Sequence, residues 1–255
     1  MGELHCLNVE FGDATVIRTG IHTILVDTHN ISDHSGLLPS NGILSGVFVT
    51  HQHRDHYSGL EYLWNAGFRI NNLIYSPYDR RVGDNSVTLD EWNEFNGLAQ
   101  RFSSRGTKLI KPYRQADVSK PWWELDELAF TIIGPHSSIA SAETRELHDA
   151  CLVITAFLGK RKCVFTGDAS DTNLAWIAQN TTRFCDDILH GSHHGSINGA
   201  DLEFIKKAKA QYTVISTRSG VHSNVPHPTA LKRYRENTAC KVYRTDVDGN
   251  LKFRF

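Results

Sequence analysis

No apolar run in these 255 residues approaches the ~18 that a membrane-crossing helix needs. The start also lacks a charged segment followed by an apolar one, the pattern of a secretory leader. The expectation is a cytoplasmic protein with no membrane partner. Cys-x-x-Cys pairs are missing as well: Cys6, Cys151, Cys163, Cys185 and Cys240 are scattered and odd in number. That pattern reads as reduced thiols, mostly in the core, rather than a disulfide frame. Charge of either sign is not in excess, with 27 basic against 28 acidic side chains, so the chain is no polycation seeking nucleic acid. Neither a linker nor a low-complexity tract interrupts it, and 1–255 reads as a single domain. Hydrophobic content of 40% is ordinary for a globular protein and suffices for a sizeable core.

What the chain does have is histidine, 14 in all, and it is concentrated. Thr50-His51-Gln52-His53-Arg54-Asp55-His56 follows the apolar run 43–49, which reads as a buried strand. Three imidazoles and a carboxylate thus leave the carboxyl end of a strand together, on a loop that stays open to substrate. Imidazole nitrogen and carboxylate oxygen suit zinc, and also manganese or iron. His51 and His53, two apart on an extended loop, can share one ion, while Asp55 and His56 point elsewhere and can serve a second.

The pattern His-x-His-x-Asp-His after an apolar strand resembles the signature of the metallo-β-lactamase superfamily. Further segments resemble one branch of it, the metallo-hydrolase domain of the DNA-uptake protein ComEC, with phosphorylcholine esterase as a relative. They are Leu7–Ile17 with Gly12-Asp13-Ala14, Thr23–Asp27, Phe165–Ala169 with Thr166-Gly167-Asp168, and His193-His194-Gly195-Ser196. Ser223–Pro228 and Thr245–Gly249 complete the series, in order, over residues 4 to 255. A departure is Glu10-Phe11, where that branch has Gly-Gln; Phe11 lacks the amide's hydrogen bonds.

The resemblance implies an α/β (α+β) fold, the four-layer αββα sandwich, with two divalent metal ions at one edge between the sheets. The first ion would be held by His51, His53, His148 and Asp168, and the second by Asp55, His56, His194 and the bridging Asp168. His148 stands where the ComEC branch has Asn, so it is either a metal ligand, as in other branches, or a loop histidine replacing that Asn. His193 and Ser196 are placed as substrate contacts or alternate ligands, and His193 competes with His194 for the ligand role. Asp55, Asp168 and His227 would be catalytic, the last as proton donor to the leaving group or as phosphate contact. Asp27 would orient the metal loop through hydrogen bonds, and His190 reads as a strand-end residue with no metal role. Ser192, Ser196 and Thr217 are oxyanion candidates, and Trp122-Trp123 reads as a core corner.

Pattern alone predicts strands at 4–9, 14–18, 22–27, 43–50, 70–76, 127–133, 151–157, 162–166, 184–189 and 212–216, and two closing strands. Helices are predicted at 58–66, 86–104, 171–179, 200–208 and 228–236. Two strand-rich halves with intervening helices fit two packed sheets covered by helices.

The chemistry implied is hydrolysis by a hydroxide bridging the two ions, zinc first, manganese or iron as alternatives. A phosphodiesterase acting on nucleic acid, a nuclease, leads. The alternative is a hydrolase of a small phosphoester, lactone, thioester or β-lactam, and a third reading is a catalytically silent metal-binding partner module. Basic clusters at Lys206-Lys207-Ala208-Lys209, Lys232-Arg233-Tyr234-Arg235 and 108–114 permit a nucleic-acid substrate without requiring one. A place inside a larger complex is compatible with the chain.

Overall fold

A computed structural model describes residues 2–255. Two seven-stranded sheets face each other, and each is built the same way. In the first, Leu251–Arg254, Glu3–Cys6, Ala14–Arg18 and Thr23–Thr28 form an antiparallel meander. The parallel strands Gly46–Val49, Asn72–Tyr75 and Lys108–Ile110 then extend it. In the second, Trp123–Leu125, Leu128–Gly134, Val153–Leu158 and Arg161–Phe165 are antiparallel, followed by parallel Ile188–His190, Tyr212–Ile215 and Lys241–Arg244.

Side-chain alternation along the strands sorts residues into layers. Ile24, Val26, Phe48 and Ile74 meet Phe130, Ile132, Ile154, Phe165 and Val214 between the sheets. Their neighbours Leu25, Val47, Val49 and Leu73 turn outward, onto Leu60 and Leu63 of helix Gly59–Asn65 and Phe95, Leu98 and Phe102 of helix Leu89–Ser104. On the far side, Val153, Val164, Leu189 and Ile215 pack on helices Asp171–Asn180, Leu202–Ala208 and Pro228–Asn237. The order is helices, sheet, sheet, helices: the expected αββα sandwich. At roughly 25 cal/mol per Å² of buried apolar surface, the layer between the sheets is the main force holding the two halves together, and the two outer layers hold the helices on their own sheets. Trp123 stacks on Phe130 at 5.4 Å and packs beside Phe48, the core corner expected of it.

Several elements differ from the sequence pattern. The run 43–50 is two strands: Ile43–Leu44 pairs with Arg69–Ile70 in a small separate sheet, and only Gly46–Val49 joins the first sheet. Ser45 marks the break, its N–H donating to Thr23 O. Residues 108–110 of the basic cluster form an edge strand rather than a charged helix face, and Trp123–Leu125 is an edge strand too. The last strand, Leu251–Arg254, returns to the first sheet beside Glu3–Cys6 and ties the second half of the chain back to its start. Four of the five cysteines are buried and Cys240 is exposed, all unpaired. No helix among the described residues is long and apolar enough to cross a membrane.

Candidate metal centre

Strand Gly46–Val49 ends in the loop carrying His51, His53, Asp55 and His56, and strand Arg161–Phe165 ends in the turn carrying Asp168. Strand Ile188–His190 delivers His193 and His194. These strand ends meet at one edge of the sandwich. Two close backbone approaches lock them together. Leu152 N–H donates to Thr50 O at 2.9 Å, placing His148, in the turn Leu147–Ala150, against the histidine loop. Gly167 has φ +46°, and a Cβ there would overlap the Thr50 side chain, so the Asp168 turn needs glycine to approach this closely. His193 and His194 both adopt left-handed backbone, at φ 51° and 52°. Such geometry costs of order 1 kcal/mol or more per residue and recurs at functional sites.

Ligand-capable atoms collect in two groups about Asp168. On one side, those of His51, His53 and His148 lie within 4.8 Å of one another. Asp168 Oδ2 is 3.8 Å from His51 Nε2 and 3.9 Å from His148 Nε2. On the other side, those of Asp55, His56 and His194 lie within the same limit. Asp168 Oδ1 is 3.3 Å from His56 Nε2 and 3.5 Å from His194 Nε2, and Asp55 Oδ2 is 3.3 Å from His194 Nε2. The two sets are those expected from the sequence, with Asp168 between them. His194 is the buried member of its pair; His193 is part-exposed, with Nε2 3.7 Å from Asp168 Oδ2.

Hydrogen bonds at the far sides of the rings fix which nitrogen faces inward. His53 Nε2 donates to Ser86 O at 2.7 Å, which turns Nδ1 inward, 3.1 Å from His51 Nε2. His194 Nδ1 donates to Ser216 O at 3.0 Å, and His56 Nδ1 to Asp27 Oδ2 at 2.9 Å, leaving both Nε2 atoms free. His56 Nε2, His148 Nε2, His194 Nε2 and Asp168 Oδ1 are buried with no hydrogen-bond partner. Such closely gathered polar atoms without partners are costly unless a cation or added protons sit among them. The donor set therefore fits divalent metal ions.

The electrostatics agree. Burial opposes charge on His56 and His194, yet Asp168 and the other carboxylates outweigh it. His56 is raised well above the ordinary value and His194 is pushed up to about 9. Burial opposes charge on Asp168 too, but His194, His56 and His193 hold its carboxyl well below the usual range. The carboxylates demand positive charge here, and protons on imidazole meet the demand when no ion does. Burial pushes His148 the other way, down to about 3, which keeps its lone pair free for a ligand bond.

A cavity of about 610 Å³ opens over this cluster, walled by Phe11, His29, Arg54, Ser196, His222 and Val225. The sequence-matched family model, described as Metallo-beta-lactamase superfamily, covers residues 7–216. The chain belongs to the metallo-β-lactamase superfamily. No curated protein sequence matches it. Among solved structures it resembles the metallo-beta-lactamase fold protein YhfI from Bacillus subtilis, with TM-score 0.61 and 14% identity over 99% of this chain and 98% of that one. It also resembles CmlA, a diiron β-hydroxylase from Streptomyces venezuelae, with TM-score 0.60 and 13% identity over 100% of this chain and 54% of that one. A diphosphatase from the PhnP family aligns with TM-score 0.51 and 14% identity, over 100% of this chain and 98% of that one. At such identities these likenesses show the fold.

Within this superfamily site, three expectations are revised by position. His227 does not line the cavity: its Nδ1 accepts from Thr229 N at 3.1 Å and caps helix Pro228–Asn237. His222, earlier on the same loop, lines it instead. Ser192 donates to Gly167 O and Ala169 O and holds the turn, and Thr217 is buried away from the cavity; of the three oxyanion candidates only Ser196 lines it. His190 ends its strand as expected, with Asp13 Oδ1 3.4 Å from its Nε2. His29 and His222 carried no motif signal, because a cavity wall is assembled from loops distant in sequence, whereas Arg54 sits at an unspecified position inside the histidine motif. Asp27 is where it was expected, bonding Thr50 N, Thr50 Oγ1 and His56.

Proposed function

We propose that the chain is a metal-dependent phosphoester hydrolase, acting through two divalent ions, zinc first, on a phosphodiester of compact size. The observation that carries this reading is the pair of donor sets on opposite oxygens of Asp168, beneath an open cavity with His29, His193 and His222 on its wall. Bound ions would supply Lewis acidity and lower the pKa of a water towards about 7. Asp55 and Asp168 are placed to take or orient that water's proton, and Ser196 and His193 to hold non-bridging oxygens. His222, at the rim against Phe11, is proposed to return the proton to the leaving oxygen. A fold neighbour described as a diphosphatase supports phosphoester chemistry. Manganese or iron suits the same donors, and the diiron neighbour shows that this fold hosts iron.

Compact substrates are favoured over long polynucleotides by the placement of positive charge. Arg54 is the one Lys or Arg among the described residues that line the cavity. None of the three basic clusters lines the cavity, and each has members engaged elsewhere: Lys206 with Glu203, Lys207 with Ala178 O, Arg233 with Ala200 O, Arg114 with Ile133 O and Asn180 O. Cleavage of single-stranded nucleic acid, the activity suggested by the ComEC resemblance, is the second reading. Arg54 also lines an adjoining groove of about 530 Å³ with Arg101, which would lengthen a substrate path, but Glu61 and Glu94 line it as well and Glu94 pairs with Arg54, so it adds no net positive charge.

The test is metal-reconstituted protein against bis(p-nitrophenyl) phosphate and single- and double-stranded nucleic acid, with Asp168→Ala alongside. Turnover of the small diester that vanishes in the variant supports the leading reading, and cleavage of the polymer supports the second. Silence on all three substrates overturns both, in favour of a lactone, thioester or β-lactam substrate or a binding module.

A further inference from the structure

Beneath the donor set lies a carboxylate with no ligand role in the account above. Asp13 is 3% exposed and its Oδ1 has no hydrogen-bond partner. It faces a small enclosed space shared with Asp27 and His190, and His190 Nε2 is 3.4 Å from that oxygen. Oδ2 is 3.8 Å from His56 Nδ1, and an oxygen of Asp13 lies within 4.8 Å of ligand atoms of Asp168 and His194. Its backbone is fixed to the metal loop: Asp13 N–H donates to Asp55 O at 3.0 Å, and Asp13 O accepts from His29 N at 3.0 Å. Gly12 lets that turn seat, since a Cβ at φ +135° would come 2.6 Å from Asp55 O.

Apart from Asp168, which faces both ligand sets, the centre's residues that Asp13 reaches are Asp55, His56 and His194, all on one side. Two divalent ions bring four positive charges into a buried place. Asp55 and Asp168 answer two of them as ligands, and the other carboxylates buried around the same rings are Asp27 and Asp13. Asp27 already orients His56 by a direct hydrogen bond, whereas Asp13 makes none and acts through its charge and its hold on the loop.

We propose that Asp13, steadied by His190, is a positioning residue that sets the occupancy of the second ion position, that of Asp55, His56 and His194. The proposal rests on the two-ion reading given above. Removing the charge at Asp13 weakens the second ion and leaves the His51, His53 and His148 position loaded.

The experiment compares wild type with Asp13→Asn in chelator-competed zinc titrations, with elemental analysis of the dialysed proteins and electron paramagnetic resonance of manganese-loaded samples. The expected result is two ions in wild type, and in Asp13→Asn one ion of unchanged affinity and one weakened about 10- to 100-fold. The spin-coupled manganese signal gives way to that of isolated ions. A purely structural role predicts instead an equal fall in melting temperature for metal-free and metal-loaded variant, and that outcome overturns the proposal. So does uptake of two ions at wild-type affinity, or equal weakening of both. Uptake of a single ion by wild type sinks the two-ion reading itself, and the proposal with it. If Asp13→Asn does not fold, His190→Gln carries the test, with a smaller weakening of the same ion expected.

Discussion

Asp27 Oδ2 accepts a hydrogen bond from His56 Nδ1–H at 2.9 Å while Asp27 Oδ1 accepts one from Thr50 N–H at 2.7 Å. One carboxylate thus fixes both the backbone from which the histidine loop departs and the tautomer of a ring within it. Replacing Asp27 by Asn keeps the size but loses the charge. Such outer partners are worth roughly 10- to 100-fold in metal affinity or activity. Asp27→Asn should lose that much in kcat/KM on the small diester, and excess zinc should restore part of it.

His227 and His222 separate cleanly. His227→Ala removes a helix cap, which costs about 1 kcal/mol. It should lower the melting temperature slightly and leave kcat unchanged. His222→Ala should leave the melting temperature unchanged and lower kcat roughly 10- to 100-fold, as expected for a lost proton donor. The reverse pattern in steady-state kinetics would restore His227 to the catalytic set.

For the metal-free protein the pH dependence has two limbs. The folded values of His194, about 9, and of His56 lie above the ordinary histidine value of about 6.5. Their protons therefore stabilise the fold fully below about 6.5, and that stabilisation is lost as the pH rises through about 9. His51 and His148 are pushed down by burial, His148 to about 3, so acid favours the unfolded chain as the pH drops below about 6.5. Melting temperature measured against pH with chelator present should peak near about 6.5. With zinc bound, the ions replace the protons on His56 and His194, and the alkaline limb should flatten.

Gly167→Ala should be disproportionately damaging for a single methyl group. The backbone is left-handed there and the added carbon collides with Thr50, which also bonds Asp27. A loss of about 2 kcal/mol or more in stability is expected from strain and overpacking combined. Urea unfolding of metal-free protein should show it, and a change under 0.5 kcal/mol would mean that the turn relaxes at little cost.

The candidate site was legible to the extent that its ligands are neighbours in sequence. His51, His53, Asp55 and His56 declare themselves as a cluster behind an apolar run. Asp168 and His194 became readable through resemblance of short motifs, and the structure brings both to that cluster. His148 stood between two roles, and its place against His51 and His53 favours the ligand role. His227 was misplaced because flanking prolines fix a loop without showing which way its imidazole faces. The short strands 108–110 and 123–125 carry too few residues for a period-two pattern, and both lie at sheet edges, where one-sided pairing leaves polar side chains in place.

By itself the sequence determined the layers and the metal loop, because alternation and ligand spacing are local properties that no distant residue has to complete. Tertiary structure alone decided two things. It paired the last strand with the first, and it put Asp13 and His190 beneath one of the two ligand sets. Those arrangements depend on where strand ends meet in space, and their partners lie tens to hundreds of residues apart. The cavity wall is partly of the same kind: Phe11, His29 and Arg54 come from the first half, and only the closing of the two halves brings His222 against Phe11.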